Sequence, residues 1–241
     1  MLKILNASFK LQDQKNNVLK NINFEIEEGQ IIAIADRKTS GESDFLKIFL
    51  KELILSEGFI SYKGHDFEKL SKNVRLEYWK SIHYSSNLTY ALEYETVYEE
   101  LQRWIPKTKT IQKFFRLVDD EQDRKIYDVL TMVDLIPKTF AITKTLDPTS
   151  RAKLELGQLL ISDKTFILAD DPTSYIDSTL SSWYVEMVKD YCHKNKATMI
   201  FVSRDLDLLR DHFDNFYYLD NRKLRKASKA EFLKLIEENK I

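Results

Sequence analysis

Short runs of unbroken apolar residues constrain this chain most. Ile31-Ile32-Ala33-Ile34-Ala35, Thr165–Ala169 and Ala197–Val202 carry almost no polar residue. A strand with one wet face alternates apolar and polar residues. An unbroken run needs both faces covered, which is the situation of a parallel sheet between layers of helix. Helical spacing appears between the runs. Phe45, Ile48, Phe49 and Leu53 follow the first run. Ala152–Ile161 precedes the second, and Leu180–His193 separates it from the third. Leu206–His212 and Ala230–Glu238 complete the helical segments, with a strand expected at Asn215–Leu219. Strands alternating with helices predict an α/β fold with a parallel sheet core.

Two parts of the chain depart from this pattern. Residues 1–26 alternate at period two, with Ile22, Phe24 and Ile26 on one face, and read as N-terminal antiparallel strands. Gly58–Tyr62 with Gly64 suggests a hairpin, and Ile82–Ser86 a short strand. From Val97 to about Pro137 the residues are charged and helical, interrupted by Pro106. The expected organisation is a single domain over 1–241, with a core at 1–87 and 151–241 and a helical subdomain at about 88–150.

Composition excludes several function classes. The 37 Lys+Arg against 38 Asp+Glu leave a formal charge of -1, so no global basic bias points to nucleic acid. The run Asn221–Lys229, with Arg222, Lys223, Arg225, Lys226 and Lys229, suits contact with acidic lipid or nucleic acid less well than a solvated charged edge. One cysteine, Cys192, excludes an intrachain disulfide and a cysteine-rich zinc site. His65, His83, His193 and His212 are scattered without metal-ligand spacing, and no serine sits in a nucleophile-elbow phrase. No stretch reaches the length of a membrane span, and Met1–Phe9 has no signal-peptide pattern, so a cytoplasmic location is expected. Glycine is scarce, with 5 in 241 residues where about 7% is usual. Glycine-rich turns that cradle phosphate are therefore scarce too.

The segment order resembles the nucleotide-binding domain of ABC transporters. The resemblance rests on Val18–Ile34, on Phe166-Ile167-Leu168-Ala169-Asp170-Asp171-Pro172-Thr173-Ser174-Tyr175-Ile176-Asp177, and on Thr198–Ser203. It spans nearly the whole chain and implies a P-loop NTPase-like ABC ATPase fold.

At the positions that carry the family's chemistry the match is poor. A phosphate loop needs glycines whose backbone N–H groups face phosphate, a lysine, and a hydroxyl for Mg²⁺. The matching stretch is Asp36-Arg37-Lys38-Thr39-Ser40-Gly41-Glu42-Ser43-Asp44. Asp36 and Thr39 stand at two family glycines and Glu42 at the lysine, while Gly41 and Ser43 survive. Glu42 reverses the charge, and like charges about 4 Å apart repel by about 4 kcal/mol at an effective dielectric of about 20. Asp170 matches the family's Mg²⁺ position, and Asp171 replaces a glutamate that acts on attacking water. The pair also suits a plainer role, ordering the Pro172 turn. The signature phrase becomes Leu146-Asp147-Pro148-Thr149-Ser150, where Asp147 or Thr149 suits a helix cap better than an anion site. Asn87 stands at the family's glutamine and Arg204 at its histidine, with an ion pair to a nearby Asp the plainer use of Arg204. Leu11 falls where an aromatic residue would stack on adenine. Thr173–Asp177 resembles the loop at the family's dimer interface.

These departures imply a catalytically inactive ABC-type domain acting as a structural or regulatory subunit of a membrane transport complex. No catalytic residue is expected, Glu42, Asp171, Arg204 and Asn87 being the altered positions. No cofactor is expected either. Any nucleotide would fall to Lys38, Gly41 and Ser43, and any Mg²⁺ to Asp170 and Ser43. The implied partners are an integral membrane subunit and a second ABC-type domain, with the chain held at the inner face of the membrane through that partner. Tyr84, Leu88, Tyr90, Leu92, Tyr94 and Tyr98 suit such an interface or the core equally. Two alternatives stay open: an atypical ATPase that still uses ATP to drive transport, and a soluble binding protein that reuses the fold.

Overall fold

The three apolar runs lie side by side in one sheet. The computed structural model describes residues 1–36, 42–86, 94–106, 120–238 and 240–241. In chain order these form β1 (Leu2–Lys10), β2 (Leu19–Ile26), β3 (Ile31–Ala35), α1 (Glu42–Phe49), β4 (Ile54–Tyr62), β5 (His65–Asp66), α2 (Lys72–Ser81), β6 (Ile82–Ser86), α3 (Val97–Trp104), α4 (Asp120–Met132), α5 (Pro148–Ile161), β7 (Phe166–Asp170), α6 (Ser178–Asn195), β8 (Thr198–Ser203), α7 (Leu206–His212), β9 (Phe216–Asp220), β10 (Lys223–Ala227) and α8 (Lys229–Glu237). The main sheet runs β10-β9-β3-β8-β7-β6, parallel except for β10 at its edge. A second, antiparallel sheet runs β2-β1-β4-β5.

Burial explains why the runs are unbroken. Ile32, Ile34, Phe166, Leu168, Ile200 and Val202 join the core that includes α1 and the antiparallel sheet. Ala33, Ala35, Ile167, Ala169, Met199 and Phe201 join the core built with α5, α6 and α7. Alternate residues thus enter different cores, and each buried Ile, Leu or Phe contributes about 1.5–3 kcal/mol. An edge-to-face aromatic series ties the layers together. Phe24 of β2 meets Phe45 of α1 at 5.1 Å, Phe45 meets Phe49 at 5.2 Å, and Phe49 meets Phe166 of β7 at 5.6 Å between ring centroids.

The helices α3, α4 and α5 pack against one another. Thr96 and Glu99 form a reciprocal capping box that starts α3. Gly157 lets α5 approach closely, since a Cβ there would lie 3.2 Å from Leu101 Cδ2 and 3.3 Å from Val129 Cγ1. Residues 221–229 lie at the charged edge of the sheet and carry secondary structure that the sequence reading did not assign: Lys223–Ala227 pairs antiparallel with β9 and Lys229 begins α8. Lys223, Arg225 and Lys226 remain exposed, and Arg225 Nε lies 2.9 Å from Asp220 Oδ2. Charge on an edge strand discourages pairing with another sheet, so the composition that hid the strand also suits its place.

Candidate functional site

The carboxyl ends of β3, β7 and β8 meet, which is where parallel sheets hold ligands. Ala35 aligns with Ser203 and Asp170 with Val202 across the sheet. The amide of Asp36 donates to Ser203 O at 2.9 Å, and that of Asp171 to Val202 O at 2.9 Å. The sheet register therefore brings Asp36, Asp170, Asp171 and Arg204 to one edge.

Arg204 is the centre of that group. Its Nε donates to Asp36 Oδ2 at 2.8 Å and lies 4.0 Å from Asp171 Oδ2. The Asp36 side chain is only 7% exposed, while that of Arg204 is 52% exposed. Hydrogen bonding and attraction from Asp36 hold the guanidinium above its ordinary pKa. Asp171 is buried and takes a left-handed backbone, φ +52°. Its Oδ1 accepts from the Ser203 hydroxyl at 3.2 Å and from the Arg204 amide at 3.5 Å. Burial raises the Asp171 pKa, with Ser203 and Arg204 pulling it down and Asp36 adding to the rise. Its backbone oxygen accepts from the Ser174 amide at 3.2 Å, so it also orders the turn at Pro172. Asp170 Oδ2 accepts from the Tyr84 hydroxyl at 3.1 Å.

Several expected site residues cannot be placed relative to this group. Lys38, Gly41 and Asn87 lie outside the described residues, as do the side chains of Glu42 and Ser43, whose backbone opens α1. Among the described residues no group of three or more His, Cys, Asp or Glu is placed to hold a metal ion. Of the aromatics, Tyr94 is exposed and Tyr98 binds Asp123, while Leu88, Tyr90 and Leu92 lie outside the described residues. Leu11 is half-buried against the core that contains Phe9.

The stretch Leu146–Ser150 forms a helix start. Asp147 caps α5 by accepting from the Ser150 amide at 2.9 Å, and Pro148 occupies the first turn. Lys138 binds the same carboxylate and the Ser150 hydroxyl. Lys138, with the Ser150 amide and hydroxyl, holds the Asp147 carboxyl well below the usual carboxylate range. In Thr173–Asp177, Thr173 is buried, Tyr175 is exposed, and Asp177 caps α6 through the Leu180 amide at 3.0 Å.

Sequence reasoning expected an ion pair from Arg204 to a nearby Asp and left the partner open; the structure gives Asp36. It missed Glu155 altogether. Glu155 carried no signal. It lies buried on α5, where Ser86 N–H donates to its Oε1 at 2.8 Å.

A family model described as ABC transporter matches residues 19–174. The chain belongs to the ABC transporter ATP-binding family. It is 24% identical over 222 residues to the probable ABC transporter ATP-binding protein p29 of Mesomycoplasma hyorhinis, covering 92% of this chain and 88% of that protein. It is 22% identical to the putative hemin import ATP-binding protein HrtA of Staphylococcus epidermidis, covering 94% and 99%. Among solved structures, cbiO1 of Clostridium perfringens, part of the cbiONQ transporter complex, is similar with a TM-score of 0.78 at 18% identity, covering 98% and 92%. The dimeric ATP-binding cassette MJ0796 bound to ADP and Pi also has a TM-score of 0.78, at 20% identity, covering 95% and 99%. These likenesses establish the α/β ABC ATPase fold. No described helix is long and apolar enough to cross a membrane.

Proposed function

We propose that the chain is a catalytically inactive ABC-type ATPase domain, a structural or regulatory subunit of a membrane transport complex. The bond from Arg204 to Asp36 carries this reading. A nucleotide site offers donors to phosphate oxygens and keeps carboxylates for the metal and for water. Here Asp36 places a carboxylate at the start of the phosphate loop, and Arg204 engages it. Asp171, at the position of the water-activating glutamate, is held by Ser203 and Arg204. These contacts support a site without magnesium nucleotide, and no catalytic step is assigned to them.

The test is calorimetric titration with ATP and Mg²⁺, alongside phosphate release. No binding in the micromolar range and no release above the blank are expected. Micromolar binding would instead favour an atypical ATPase, the reading that the retained Asp170 supports.

The partners in this proposal are an integral membrane subunit and a second ABC-type domain. The complex of cbiO1 and the dimer of MJ0796 support such pairing by analogy. The chain would sit in the cytoplasm at the inner face of the membrane, with the core at 1–87 and 151–241 and the helical subdomain at about 88–150. Detergent extraction of a tagged chain from native membranes checks this. Co-purification of an integral membrane protein and a second cassette is the expected result. Recovery of the chain as a soluble monomer alone would favour a binding protein that reuses the fold.

A further inference from the structure

A cleft of about 340 Å³ opens between the start of α5, the end of β6 and the turn after β7. We propose that it is a binding site for a small organic ammonium ion, whose charged head pairs with Glu155. The volume lies within the range of about 300–1,000 Å³ typical of ligand sites. Its walls are apolar, from Leu146, Ala152, Pro172 and Ile176. Tyr175 also lines the cleft and is exposed, an aromatic ring of the kind that attracts cations. Glu155 provides the buried polar end of the cleft, at 5% exposure.

Among the described residues the Glu155 carboxyl has hydrogen-bond donors but no counter-ion. The Ser86 amide donates to Oε1 at 2.8 Å. Arg151, one turn earlier on α5, lines the same cleft but is turned to the backbone. Its Nε donates to Leu146 O at 3.1 Å and its Nη2 to Lys144 O at 3.0 Å. Among the described residues Glu155 makes no ion pair. Burial pushes its carboxyl up to about 7, against the pull of the Ser85 hydroxyl and the Ser86 amide. From α6, Tyr184 faces the same place, with its hydroxyl 3.1 Å from Ser85 Oγ. Burial raises the Tyr184 pKa, and Glu155 raises it further, so the phenol stays neutral. Among the described lining residues Glu155 is the one that a cation neutralises, while the Arg151 guanidinium is engaged by backbone carbonyls. An anion would meet a desolvated carboxylate. A bare divalent metal would find one carboxyl where hard cations take several oxygens.

The probe is butylammonium chloride, with butanol and butyrate as neutral and anionic controls of similar shape. Binding is followed by calorimetry at pH 8 and pH 6 on the full chain. Saturable butylammonium binding is expected at pH 8, about tenfold weaker at pH 6, because a carboxyl of pKa about 7 is mostly protonated there. Glu155→Gln keeps the shape and an acceptor for Ser86, and should abolish the binding and its pH dependence. Ala152→Leu fills the cleft without changing charge and should also abolish it, with the fold checked by circular dichroism. Equal binding of butanol or butyrate, undiminished binding in Glu155→Gln, or no saturable binding at pH 8 would each overturn the proposal. Nucleotide enters none of these measurements, so the outcome is independent of whether the cassette is active.

Discussion

Arg204 and Asp36 stand 168 residues apart in sequence and 2.8 Å apart in space. They meet because β3 and β8 are parallel neighbours with Ala35 opposite Ser203. By the sequence resemblance each stands where the family uses another residue, and each compensates the charge of the other.

Removing one partner is therefore expected to cost more than removing both. Arg204→Ala leaves the Asp36 carboxylate buried beside Asp171. A fully buried orphan charge costs about 3–5 kcal/mol. Half-exposure of Arg204 admits water, so about 1–2 kcal/mol is expected here. Adding Asp36→Asn should restore part of the loss. Urea unfolding of the four proteins in the cycle measures the coupling, and strictly additive effects would show that the pair is only a surface contact.

The parallel core was readable from sequence because both faces of β3, β7 and β8 are covered. Burial on two sides leaves an unbroken apolar trace. The strand β10 left no such trace, since Lys223, Arg225 and Lys226 are exposed at an edge. The site was half readable. Asp170, Asp171 and Arg204 lie in recognisable phrases, whereas the bond from Arg204 to Asp36 depends on sheet order. Glu155 was invisible. Nothing in the sequence sets it apart from the charged Arg151 and Lys153, yet α5 is buried from Leu154 through Leu159.

Glu155 should give the protein an unusual pH dependence. Its native pKa is raised from 4.5 to about 7, so between those values the folded state holds more protons than the unfolded one. This contribution favours folding below pH 4.5, declines as pH rises through 7, and is flat beyond. The full difference is on the order of 3 kcal/mol. Glu155→Gln should remove the decline, making the variant the more stable protein at pH 8. Unfolding midpoints of both proteins from pH 5 to 8 provide the check, and parallel curves would contradict the assignment.

Restoring one lysine should not create an ATPase. In Glu42→Lys, Arg204 still binds Asp36, and Pro148 and Asp147 still replace the signature glycine turn. Phosphate release from ATP is expected to stay at the blank. Measurable turnover would mean that Glu42 alone blocks the site.

Gly58 marks a close approach of two strands. It takes φ +83° opposite the irregularity of β1 between Leu5 and Ser8. A Cβ there would lie 2.4 Å from Asn6 O and 2.6 Å from Ala7 Cα. Both atoms are backbone and cannot swing aside. Gly58→Ala should therefore cost several times the usual ~1 kcal/mol of a point mutation. Thermal unfolding tests this, and a loss below ~1 kcal/mol would show that β1 can shift.

Asp147 tests what the altered signature phrase now does. Its carboxylate accepts from the Ser150 amide at 2.9 Å and the Ser150 hydroxyl at 2.8 Å, and it pairs with Lys138. As a cap it should contribute about 1–2 kcal/mol, lost in Asp147→Ala. Asp147→Asn keeps the acceptor and loses only a half-exposed ion pair, worth about 0.2–1 kcal/mol, so it should recover most of the stability. The Asp147 pKa is depressed in the folded state, which sets the sign with pH. Its contribution is present above the unfolded value of 3.8 and is lost as pH falls through the folded one. The gap between the native protein and Asp147→Ala should therefore be full at pH 7 and narrower at pH 3. Chemical unfolding at both pH values measures it. A capping role also requires that inorganic phosphate leave the native protein's midpoint unchanged. Stabilisation by phosphate that vanishes with an α5 substitution would return this helix start to anion binding.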